Sequence, residues 1–289
     1  MTWLLLSILL SASIVLIFRA FPQFNIHTGK AILINYATCL LLGNILLGEN
    51  HLFQADIAEQ NWFYPALGMG ILFITVFSAM GFSARHAGAS FTALASKMGL
   101  LLPVLTGVFL LGEPLRWNLL PGLLLTIAAI WLLTPEKPGE KHEKGWTLLI
   151  LPLVFIGSGL VDTGLKLIQH HYLQHGPEID TARSTTLIFG SAFVCGVFAN
   201  LINRQSIVPS AREWLGGLVL GTVNYFSVYA LLRALNSDGL PASFFFPVNN
   251  LGVVLLALLV SDLLYREKPD KRQKAGIGIS LLAILLLSL

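Results

Sequence analysis

Lys97 stands inside an apolar run, 88–111, and two polar pairs, Asn249-Asn250 and Asn224-Tyr225, stand inside two others, 240–264 and 212–235. An ionisable group in such a run costs about 2.5–3.5 kcal/mol at the centre of a membrane helix, which marks it as a functional candidate. A protonated lysine can hold a carboxylate or another anion, and it can release its proton as part of coupling. Each asparagine amide adds donors and an acceptor. Counted at 1.5 Å per residue, Lys97 lies about 13 Å, Asn249 and Asn250 about 15 Å, and Asn224 and Tyr225 about 18–20 Å from one and the same membrane face. They form a midplane cluster whose expected chemistry is substrate binding, with Phe246 of Phe244-Phe245-Phe246-Pro247 as an aromatic wall. Structural alternatives stand beside this reading: Lys97 turned to a backbone carbonyl, the asparagines bonding helix to helix, the phenylalanines facing lipid.

Asp162 and Arg19 differ in depth. Both fall within about 5–6 Å of a span end, where charged side chains reach water, so they are candidates for gating or coupling or else mark the boundary. A direct Lys97–Asp162 pair would have to bridge about 10 Å along the axis. His171 and His175 have the i, i+4 spacing of a helical metal site. They lie in a Tyr-, Gln- and Gly-Pro-rich helix end where histidine is an ordinary interfacial residue, and no metal or cofactor is expected. Catalytic-triad spacing, a phosphate-cradling glycine loop and HExxH are all absent from the sequence.

These residues are carried by long apolar segments. Of 289 residues, 55% are hydrophobic and 11% charged, too little charge to cover a soluble domain of this size. The net charge of +3 gives no footprint for nucleic acid. Cys39 and Cys195 both lie in apolar runs and suggest no disulfide. Spans of roughly 20 residues are expected at 2–21, 28–48, 62–84, 88–111, 116–134, 146–169, 181–203, 212–235, 240–264 and 271–289. Backbone groups must be paired in lipid, so runs this dense must be helices. The expected fold is an all-α polytopic membrane protein. The N-terminus lacks a basic n-region and runs on through Ser11-Ala12-Ser13, which reads as a first membrane helix and not a secretion signal.

A charged linker at 135–145 separates five spans, 1–134, from five more, 146–289. Leu111-Gly112-Glu113-Pro114, with Gly122 nine residues after the glutamate, is echoed by Glu267-Lys268-Pro269 with Gly276 at the same spacing, an offset of 154. Trp62 and Trp214 open the third run of each half. An odd number of spans per half turns the second upside down, giving two inverted five-helix repeats as in many secondary transporters.

Leu111-Gly112-Glu113-Pro114 and Arg266-Glu267-Lys268-Pro269, with Pro103 following Ser96-Lys97, resemble the drug/metabolite transporter superfamily and, within it, the ten-helix EamA-type branch. The second copy has Tyr265-Arg266 where a glycine usually precedes the glutamate. The resemblance implies export or exchange of amino acids, other metabolites or drugs through a central cavity lined mainly by spans 1, 3, 4, 6, 8 and 9. Glu113 and Glu267 are expected to serve turn geometry.

Thirteen of the 18 lysines and arginines flank the connectors on the face of the 3–4 and 5–6 loops, and four flank the other. The positive-inside rule places the first face in the cytoplasm and both termini outside. The sequence thus leads to a secondary transporter in a bacterial inner membrane, moving a small polar metabolite such as an amino acid or organic acid, with a proton as the candidate coupling ion. It is expected to act as a monomer or weak homodimer. Two competing readings are a membrane enzyme on lipid-linked substrates, with His86 or the His170 region as base, and a passive channel or scramblase.

Overall fold

A computed structural model describes residues 1–48, 52, 55–86, 89–134, 144–202, 209–237, 241–265 and 270–288. Glu267 and most of the charged linker, 135–143, lie outside the described residues. Among the described residues there is no strand. The helices are α1 (Thr2–Ala20), α2 (Thr28–Leu47), α3 (Phe63–His86), α4 (Ala89–Met98), α5 (Leu101–Phe109), α6 (Leu119–Leu133), α7 (Lys144–Ile168), α8 (Glu178–Ile202), α9 (Ala211–Ser237), α10 (Ala242–Tyr265) and α11 (Lys271–Ser288). Among the described residues, eight helical stretches are long and apolar enough to cross a membrane, α4 and α5 together supplying one of them, Phe91–Phe109. The other two expected spans are α6, at 15 residues, and α11, which opens on Lys271-Arg272-Gln273-Lys274. The chain is an all-α, multi-pass membrane protein.

The fourth span departs from the expected continuous helix. It breaks at Gly99-Leu100 because Pro103 has no N–H to offer the Gly99 carbonyl. Leu102 N–H bonds that carbonyl instead at 3.0 Å, and the preceding amides also pair three residues back, Gly99 to Ser96 and Leu100 to Lys97.

Contacts divide the chain into two compact units, one of 1–75 and 167–238, the other of 76–166 and 239–289. In the first, α9 packs on α1 and α2, and α2 on α8. Glycines make the α2–α9 approach close: a methyl on Gly217 would meet Ile34 at 2.5 Å, and one on Gly221 would meet Thr38 at 2.6 Å. Ser210 and Glu213 form a capping box at the start of α9, the Ser210 N–H donating to Glu213 Oε2 at 2.6 Å and the Glu213 N–H to Ser210 Oγ at 3.4 Å.

In the second unit α6 packs on α11, and α10 on α5, α6 and α11. The α6–α11 pair is tied at both ends. Asn118 Nδ2 donates to the Leu286 carbonyl at 2.8 Å, and Arg272 donates to the Trp131 carbonyl at 2.8 Å while its guanidinium lies 4.3 Å from the Trp131 ring centre. Both bonds occupy carbonyls that a helix C-terminus leaves without an intrahelical partner. Asp270 and Gln273 cap α11 reciprocally, at 2.7 and 3.1 Å.

Candidate functional site

The second unit contains Lys97, Asp162, Phe246, Asn249 and Asn250 of the residues singled out by sequence. Lys97 ends α4 just before the break. Gly99 and Gly159 set the distance between that break and α7. A methyl on Gly99 would lie 2.7 Å from the Gly159 nitrogen and 2.9 Å from the Phe155 carbonyl oxygen, and one on Gly159 would lie 2.6 Å from the Gly99 oxygen. Backbone therefore meets backbone, and Ser158 Oγ donates to Ser96 Oγ at 3.0 Å beside the crossing.

This approach brings Asp162, three residues past Gly159 on α7, to the level of Lys97. Lys97 Nζ donates to Asn250 Oδ1 at 3.1 Å. The Asn250 side chain also hydrogen-bonds Asp162, and the charges of Lys97 and Asp162 act on each other. An ammonium, a carboxamide and a carboxylate thus form one row drawn from α4, α10 and α7. Asn250 and its neighbour Asn249 are buried, whereas Lys97 and Asp162 keep partial accessibility. Phe245 and Phe246 are fully buried, which places Phe246 in packing and not against lipid.

Asp162 corrects the sequence reading, which put it near a span end. Beyond Ile168 the sixth span continues through a π-helical turn, Gln169–Leu173, whose Gln174 N–H reaches the Gln169 carbonyl at 2.9 Å. The apolar stretch is therefore Leu149–Leu173. Asp162 lies about 16 Å from its later end and about 20 Å from its start, in the middle of the span.

Asn224, Tyr225 and Arg19 belong to the first unit. Asn224 Nδ2 donates to Asn35 Oδ1 on α2 at 3.1 Å, both residues buried. Cys39 donates its S–H to the Gly221 carbonyl, with sulfur 3.2 Å from oxygen. Tyr225 lies 3.4 Å from the Thr186 hydroxyl and stacks on Tyr229, centroids 6.4 Å apart. Both contacts join helices of the first unit, Asn224 reaching α2 and Tyr225 reaching α8. Arg19 lies in the last turn of α1. His170 and His171 pack edge to face, and no group of three or more metal-ligating side chains occurs among the described residues.

Glu113 does more than shape a turn. The α5 end is a left-handed stop at Gly112, φ +69°, after which the Glu113 N–H returns to the Gly107 carbonyl at 2.9 Å. Its carboxylate accepts the first N–H groups of α10, from Ala242 at 2.6 Å and Ser243 at 3.0 Å.

The model of the EamA-like transporter family matches residues 145–289. An uncharacterized protein of Haemophilus influenzae is 26% identical over 285 residues, 97% of this chain and 95% of that one. A solved crystal structure superposes with a TM-score of 0.76 at 14% identity, over 99% of this chain and 94% of the other. At that identity the likeness concerns the fold.

Proposed function

The chain belongs to the EamA-like transporter family, within the drug/metabolite transporter superfamily, and from that premise we propose that it is a secondary transporter of a small polar metabolite in a bacterial inner membrane. The observation that carries the reading is the Lys97–Asn250–Asp162 row. Two ionisable side chains in mid-span are costly to insert, and a purely structural contact between the same helices could be made by apolar residues without that cost. The row offers a cationic donor to a carboxylate, and a carboxylate to an ammonium or a proton. A solute carrying a carboxylate, such as an amino acid or organic acid, fits this arrangement through Lys97, and the ammonium of an amino acid can meet Asp162.

Alternating access explains why such a row is kept: solute or proton replaces the internal partner on one side and gives it back on the other. Asn250 can hold Lys97 and Asp162 apart while each remains bonded, so neither charge is left bare when the site empties. Counterflow in proteoliposomes tests this reading. A preloaded amino acid or organic acid should accelerate uptake of its labelled form at least about tenfold over empty vesicles. Uptake without exchange acceleration would indicate a channel, and chemical change of the solute an enzyme; either would overturn it.

A further inference from the structure

We infer that Glu113 is the latch of a gate, holding the start of α10 against the end of α5 in the state seen here and releasing it in each transport cycle; this rests on the transporter reading above.

Four observations within one unit lead there. The Glu113 carboxylate is not held by its own helix but by the first two N–H groups of α10, so a single side chain joins two spans. Gly107 is the residue that admits it: a methyl there would lie 2.7 Å from Glu113 Oε2 and 3.0 Å from Ala242 Cβ. Second, the carboxylate has another claimant. Lys166, buried at 6% exposure, lies near the end of α7, and its charge and that of Glu113 act on each other. Glu113 can therefore leave the helix terminus without becoming a bare charge, which is the condition for two discrete arrangements.

Third, Pro247 stands five residues into α10 from Ala242, and a proline there removes the bond to the Ser243 carbonyl. The first turn of α10 can then bend on its own. Fourth, the lever points at the candidate site. Asn249 and Asn250 stand two and three residues after Pro247, and Asp162 stands one helical turn before Lys166 on α7. Both partners of the latch are thus continuous with both bridging partners of the row. Loss of Asn250 from between Lys97 and Asp162, when solute enters, would be felt at the start of α10, and release of Glu113 would be felt at Asn250.

A cross-link decides between a moving latch and a fixed helix cap. Gly107→Cys and Ala242→Cys, in a chain with Cys39→Ala and Cys195→Ser, bring two thiols to near disulfide spacing. The Gly107→Cys side chain displaces the Glu113 carboxylate, so the baseline is the reduced double-cysteine protein: oxidation should cut its counterflow at least about tenfold and reductant should return it to that baseline. Undiminished counterflow in fully cross-linked protein would overturn the latch while leaving the transporter reading intact. If the unsubstituted protein exchanges no solute, the transporter reading fails separately, and the latch is judged by labelling Ser243→Cys with a membrane-impermeant maleimide. A gate that opens exposes this buried position, and labelling should accelerate at least about fivefold in Glu113→Gln. Complete protection over hours in both forms would overturn it.

Discussion

Gly122 on α6 lies against Leu287 on α11, and the contact recurs with the helices exchanged, Gly276 on α11 against Leu133 on α6. The offsets agree: 276 − 122 and 287 − 133 are both 154. The other unit holds its own reciprocal pair, Gly43 against Thr186 and Gly196 against Leu33, and there 196 − 43 and 186 − 33 are both 153. Exchange of this kind is what a two-fold axis across a helix pair produces. It supports the inverted five-helix repeat and shows that glycine places the register marks.

The first prediction concerns the backbone crossing beside Lys97. Gly99→Ala should destabilise the protein by about 1–3 kcal/mol, because its methyl meets backbone that cannot rotate away. Gly68→Ala and Gly278→Ala, with nothing within 4 Å, should be neutral or mildly stabilising. Thermal unfolding in detergent compares the three, and equal effects would contradict the crossing.

Lys97→Met keeps the apolar stem and removes the charge. It should reduce counterflow at least about tenfold and flatten its pH dependence between pH 6 and 8 without loss of folded protein. Asp162→Asn should do likewise. The double variant should fall well short of the product of the two losses, since partners in one network are not additive. Normal transport by Lys97→Met would remove the row from the site.

The Asn35–Asn224 bond gives a stability prediction in the other unit. Asn224→Ala leaves a buried acceptor on Asn35 and should cost about 1–3 kcal/mol. Replacing both by leucine should recover part of that cost in a thermal melt. Should Asn224→Ala change solute affinity but not stability, Asn224 is a binding residue and not a helix tie.

Orientation is tested with reporters. One inserted within 137–144 should behave as cytoplasmic, and one fused after Leu289 as external, because the lysines and arginines concentrate on the linker's face. A cytoplasmic C-terminal reporter would reverse the assignment.

Span number and type were legible because lipid leaves the backbone no choice but helix, and the expected ends fall within three residues of the observed helix ends at most described boundaries. The break at Gly99 was readable in principle from Pro103 four residues on. The π-helical turn at Gln169–Leu173 was not, since His170-His171-Tyr172 looks like an interface; missing it moved Asp162 toward a membrane face. Capping boxes at Ser210–Glu213 and Asp270–Gln273 carry a sequence signature that apolar periodicity overshadowed. The depth count brought Lys97 and Asn250 to one level, but depth alone says nothing of which helices touch. Asn224 shares that depth and bonds to Asn35. The role of Glu113 was half legible: its place at a turn follows from Gly112-Glu113-Pro114, while its grip on a helix 129 residues away is a matter of tertiary packing.

Lys97 and Asn250 are themselves 153 residues apart, the offset that relates α2 to α8. The fourth and ninth spans themselves are related by 154, which pairs Lys97 with Leu251 and Asn250 with Ser96, so the Lys97–Asn250 pair stands once and has no copy in the other half. Two lysines would set ammonium against ammonium at about 3 Å, a repulsion no membrane interior would screen; two asparagines would leave no charge to recognise a solute. The scaffold repeats at this level and the chemistry does not: the ammonium stands on one half alone.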